Sequence, residues 1–155
     1  MKFWSSLAVV ALLFYLYTSY GPLQDAVTDP YFCELRVKDP DSGVSLVGFG
    51  EMNSLADCET RSARFWAETL KFVGETEVST TCKKDIPAKY QRVFANERIS
   101  ATYMALEKGQ RGERNARLVF YGVPSSVVAQ ECPKLIERIR RSYKGKIYCV
   151  QGSVG

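Results

Sequence analysis

The chain repeats one order of elements, strand–strand–helix–strand, and each copy carries a cysteine early on its helix and another on the strand that follows. No other feature restricts the fold as far. In the first copy, Cys33, Leu35 and Val37 alternate with Glu34, Arg36 and Lys38, the period-two pattern of a half-buried strand. Asp39-Pro40-Asp41-Ser42-Gly43 has turn chemistry, and Val44 to Phe49 reads as a second strand, so the pair is a hairpin. Asn53 or Ser54 caps a helix with Asp57 in its first turn. Leu55, Cys58, Ser62, Phe65, Trp66 and Thr69 share one face of it, and it ends near Phe72, before Gly74. Thr76, Val78, Thr80 and Cys82 alternate again.

The second copy follows the same order. Ile99 to Glu107 is a strand, Lys108 to Asn115 a polar loop, and Arg117 to Tyr121 a second strand. Ser125 or Ser126 caps a helix running to about Tyr143, with Val128, Cys132, Leu135, Ile136, Ile139 and Tyr143 as its apolar stripe. Pro133 requires either a kink or a fresh start there, because proline suits a first helical turn and not a middle. Gly145 stops the helix, and Lys146 to Val150 is the last strand. Gly50 and Gly122 read as matching positions ahead of the two helices. Asp85 to Asn96, with Pro87, reads as the linker.

The expected fold class is α+β: an N-terminal transmembrane helix followed by a tandem β-β-α-β repeat that forms one small disulfide-stapled domain. Residues 1–22 are the anchor or an uncleaved signal, and 23–155 the exported domain with halves 31–85 and 97–152. A half of ~55 residues is marginal alone, so the halves pack together. The crossover through each helix predicts that the second and third strands of a half run parallel.

Five cysteines admit fifteen ways to form two bonds. The repeat selects Cys58–Cys82 and Cys132–Cys149, each tying a helix to the next strand. Loops of this size contribute ~3 kcal/mol apiece in the chain-entropy account. Cys33, on the apolar side of its strand, is left as a buried free thiol. No C-x-x-C occurs and the spacings match no zinc pattern, which argues against redox catalysis and a structural metal.

Phe3 to Tyr20 is an uncharged, mostly apolar stretch of 18 residues. As a helix it spans ~27 Å, close to the ~30 Å of a bilayer core. Trp4 marks one end, Tyr15, Tyr17 and Tyr20 the other, and Gly21-Pro22 stops it. The rival is a cleaved secretory signal, with Lys2 as its short basic region. No A-x-A-like triplet follows, which favours the anchor. Lys2 before the stretch and Asp25 and Asp29 after it put the N-terminus in the cytoplasm. Both readings export the rest of the chain, which suits disulfides.

Charge is uneven. Residues 21–85 carry seven Lys and Arg against twelve Asp and Glu, a net of −5, whereas 86–155 carry thirteen against five, a net of +8. Arg111, Arg114 and Arg117 cluster on the second half's loop and strand, and Lys134, Arg138 and Arg141 on the polar side of its helix. These six are the candidate contact surface, for an anionic lipid, an acidic envelope polymer or an acidic protein. Nucleic acid is not expected for an exported chain of pI 8.8.

The chain has no histidine, which removes Ser-His-Asp and Cys-His catalysis. Gly48-Phe49-Gly50 lacks the third glycine of a dinucleotide loop, and Glu75 and Glu77 are an ordinary strand-start pair. No catalytic residue, cofactor or metal is expected. The function expected is that of a single-pass, membrane-anchored, extracytoplasmic binding or scaffolding protein, non-catalytic, with its body periplasmic in a bacterium. The alternative is a soluble secreted or periplasmic module released by signal cleavage; an enzyme of unfamiliar type ranks below both.

Overall fold

A computed structural model describes residues 10–14, 29–69, 76–110 and 113–153, the side chains of 64–69 excepted. Its elements are β1 (Tyr31–Lys38), β2 (Ser45–Met52), α1 (Leu55–Thr69), β3 (Glu77–Lys83), α2 (Ala88–Phe94), β4 (Thr102–Glu107), β5 (Ala116–Tyr121), α3 (Ser125–Ile139) and β6 (Lys146–Val150). The α+β class and the doubled β-β-α-β order are both present. The strands form one six-stranded sheet in the order β3-β1-β2-β5-β4-β6. The halves, β3-β1-β2 and β5-β4-β6, are related by a pseudo-dyad between β2 and β5.

Every neighbouring pair is antiparallel, so the second and third strands of each half run parallel, as the crossover predicts, without being neighbours. The β1–β2 hairpin leaves the far edge of β1 open, and the chain returning from α1 pairs there. β2 and β3 do run in one direction, but with β1 between them. The other edge of β2 joins the second half through β5. The β1–β2 turn is held by Asp39, whose carboxylate accepts from the Ser42 hydroxyl (2.5 Å) and the Asp41 N–H (3.1 Å), with Gly43 at φ +70°.

α1 opens on a reciprocal cap: Asp57 N–H donates to Ser54 Oγ (3.1 Å) and Asn53 N–H to the Asp57 carboxylate (3.2 Å). At α3 the cap position belongs to Pro124, not to a serine; Ser125 is the first helical residue. The Pro124 carbonyl accepts from Val127 and Val128 N–H. The helix runs on through Pro133 to Ile139 and stops short of Tyr143, which follows in a closing turn. The expected linker also contains a helix, α2. It is too short for its period to stand out, burying Tyr90 and Val93. Its end is a Schellman motif: Asn96 sits at φ 59°, its N–H donates to the Val93 carbonyl, and Glu97 N–H to that of Arg92.

The sheet buries both faces. α1 and α3 lie on one, over Cys33, Leu35, Val37, Leu46, Met104, Leu118 and Ile147. α2 lies on the other, over Val47, Phe49, Tyr103, Ala105 and Val119. From the stretch Phe3–Tyr20, the described part is a helical turn, 10–14. Its Val10, Ala11 and Phe14 belong to the core on the α1/α3 face. Among the described residues no helix is long and apolar enough to cross a membrane.

Candidate contact surface and its scaffold

The six basic residues singled out by the sequence do not form one surface. α3 exposes Lys134, Arg138 and, just beyond its end, Arg141. Arg111 lies outside the described residues. Arg114 and Arg117 are buried, at 1% and 3% exposure. Strand alternation explains Arg117. Ala116, Leu118 and Phe120 face α1 and α3, so Arg117 points to the opposite face, beneath α2. There its guanidinium donates to the carbonyls of Val93 (3.1 Å), Leu106 (3.1 Å) and Ala116 (2.9 Å) and to Asn96 Oδ1 (3.0 Å). It also stands 5.1 Å from the centre of the Phe94 ring. Arg117 therefore fastens the end of α2 to the sheet. Burial pulls the guanidiniums of Arg114 and Arg117 below their ordinary pKa.

What remains is a basic strip along α3. Lys134 is partly neutralised by Glu131, 2.7 Å away at i,i+3, a pair of small energetic weight on an exposed face. Arg138 and Arg141 continue the strip, with Arg140, Lys144 and Lys146 nearby. Beside it, between α3 and the edge strand β6, lies an open cavity of about 470 Å³. Val128, Cys132, Ile136 and Ile147 give it apolar walls, and Arg140 and Tyr148 also line it. Glu137 lines it beside Arg140, so its walls suit an apolar body.

Both disulfides selected by the repeat are present, Cys58–Cys82 and Cys132–Cys149, with Cα atoms 6.0 and 6.5 Å apart. Each ties a helix to an edge strand. Cys33 is a buried free thiol. It stands opposite Cys82 in the ladder, where the second half sets Met104 opposite Cys149. Burial pushes its pKa up, against a 3.3 Å hydrogen bond with Ser62, so its reactive thiolate is disfavoured.

Two buried carboxylates escaped the sequence analysis. Glu113, 2% exposed, accepts four backbone N–H groups: Gly109 (2.9 Å), Gln110 (3.0 Å), Lys144 (2.5 Å) and Gly145 (3.1 Å). It thereby joins the β4–β5 loop to the turn before β6. Glu34, also 2% exposed, takes Lys83 at 2.7 Å and Arg36. Burial alone would raise its pKa, but those two cations outweigh it and hold the carboxyl below its ordinary value. Of the strand-start pair, Glu77 is exposed on β3, and Glu75 lies outside the described residues.

Among the described residues no three His, Cys, Asp or Glu side chains gather in a way that could hold a metal ion. No protein-family model, curated protein or solved structure matches the chain.

Proposed function

We propose that this protein is a non-catalytic binding or scaffolding module working outside the cytoplasm, tethered to the membrane through Phe3–Tyr20 with its N-terminus inside. The observation that carries the reading is the matched pair of disulfides, one per half, each bonding a helix to an edge strand. Such bonds persist in oxidising compartments. The proposed contact is the basic strip of α3, Lys134, Arg138 and Arg141. An anionic lipid is the favoured partner, because an apolar cavity adjoins the strip; an acidic envelope polymer or acidic protein would use the same charges. A soluble module released by signal cleavage is the second reading. The same disulfides suit it, since a secreted domain also matures in an oxidising compartment.

Charge reversal tests the contact. Arg138→Glu with Arg141→Glu should weaken binding to vesicles containing anionic lipid at least tenfold and leave the melting temperature within about 2 °C, because exposed side chains contribute little to stability. Equal binding by the double variant would remove the strip from consideration. Intact mass of membrane-extracted protein separates the two readings: full length supports the tether, and loss of the first ~20 residues, the span of a signal peptide, supports release.

A further inference from the structure

Six strands at ~4.8 Å spacing make a sheet ~24 Å across, about what two adjoining helices of ~10–12 Å diameter cover, so two helices set apart leave a gap. The disulfides draw α1 and α3 toward the edge strands β3 and β6. The centre, at the pseudo-dyad, is left for a third element. On that face β2 and β5 align Leu46 with Phe120, Gly48 with Leu118, and Gly50 with Ala116. The floor is entirely apolar, and two glycines and an alanine make it low along its middle. It is also dry, with Leu46, Leu118 and Ala116 at 0%, 1% and 1% exposure.

The turn 10–14 fills this trough. Val10, Ala11 and Phe14 are 3%, 1% and 2% exposed. A Cβ on Gly48 would stand 3.0 Å from Leu118 Cδ2 and 3.3 Å from Phe14 Cε1. The Phe14 ring thus uses the space a side chain at position 48 would claim. The same five residues lie inside the stretch that the sequence marks as membrane-inserting. One segment therefore has two dry environments open to it, and it cannot occupy both.

We infer that the trough over β2 and β5 is a binding site for an apolar helix, that the chain's own Val10–Phe14 turn is its resident occupant, and that moving this segment into a bilayer opens the site. The inference rests on the proposed membrane insertion of Phe3–Tyr20. Once vacated, the trough is a continuous apolar patch rimmed by two helices, the kind of surface that marks an interaction site.

The test uses the full chain with p-benzoylphenylalanine at position 14, irradiated in lipid-free buffer and again with phosphatidylcholine vesicles. The expected result is an internal cross-link to β2 or β5 in buffer, replaced by cross-links to lipid when vesicles are present. Cross-links that stay internal with vesicles overturn the opening and, with it, membrane insertion. Full-length protein that never cross-links to the sheet overturns the trough as the segment's site and leaves insertion standing. A purified protein lacking the segment by mass overturns the resident occupant. Should the photoreactive variant misfold, Phe14→Ala and Gly48→Ala replace it. With the ring in the trough, the two melting-temperature changes should be non-additive, since removing the ring relieves the 3.3 Å contact of the added methyl, although the 3.0 Å contact with Leu118 stays. Additive changes overturn the contact.

Discussion

Replacing Glu113 should unfasten one end of the sheet. Its carboxylate accepts four backbone N–H groups from two segments about 35 residues apart in sequence. A hydrogen bond to a charged group contributes ~1.5–3 kcal/mol net, so four intact bonds sum to ~6–12 kcal/mol. Gly109, Gln110 and Lys144 are exposed residues, so water can reach much of the freed backbone and restore part of the loss. Glu113→Ala should therefore cost ~3 kcal/mol, about half the smallest four-bond sum. For a domain of this size that lowers Tm by ~6–12 °C. Glu113→Gln should cost less. Its oxygen can keep the three donors that meet Oε2, but its NH₂ then faces the Lys144 N–H. The assay is urea and thermal unfolding of the oxidised protein, with amide exchange followed at residues 109, 110, 144 and 145. Exchange should accelerate at these four positions ahead of the rest of the sheet. An Ala variant within ~0.5 kcal/mol of the parent, the scatter of ordinary surface substitutions, would refute the reasoning. So would unchanged exchange at those amides.

The disulfides give a second expectation. Cys58→Ser and Cys82→Ser should each cost ~3.4 kcal/mol and the double variant little more, from the 24-residue separation; the 17-residue pair, Cys132 and Cys149, should cost ~3.1 kcal/mol. Additive losses within a pair, measured by urea unfolding, would deny the bond. Glu34 gives a third. Its pKa is depressed in the fold, so its stabilising share is complete above the unfolded-state value of ~4.3 and fades as pH falls through the lower folded-state value. Glu34→Gln should therefore flatten the acid limb of a stability–pH curve, and an unchanged limb would show that the Lys83 and Arg36 pairs do not govern it.

Much of the fold was legible because its periods are long enough to read. Cys33, Leu35 and Val37 announce one face of β1 by strict alternation, and the stripe through Val128, Cys132, Ile136 and Ile139 announces α3. The disulfide pairing followed from the repeat, since corresponding stations in two copies bond in the same way. α2 was missed because seven residues give barely two turns of pattern, and Pro87 ahead of them suggested a linker. Its clearest signal was Asn96, a residue tolerant of the left-handed conformation that ends a helix. Gly50 and Gly122 looked equivalent and are not: Gly50 lies inside β2, and Gly122 follows β5 at φ +70°. The candidate surface fared worst. Arginine reads as exposed by default, yet Arg114 and Arg117 are buried. Val93, Asn96 and Leu106, which accept from Arg117, are brought near it only by folding.

The sequence by itself determined the strand–strand–helix–strand order of each half, the apolar face of each long element, the cysteine pairs and the charge asymmetry between halves. These are local properties, set by side-chain period and by chain order. The tertiary structure alone decided that β1 and β4 lie inside their halves, that β2 and β5 join the halves, and that two buried glutamates and Arg117 serve as internal fasteners. It also put Val10, Ala11 and Phe14 in the core, with the Phe14 ring beside Gly48. An apolar stretch has no preference of its own between a bilayer and a protein groove, because both remove it from water. Only the shape left between two helices over a six-stranded sheet supplies the second choice.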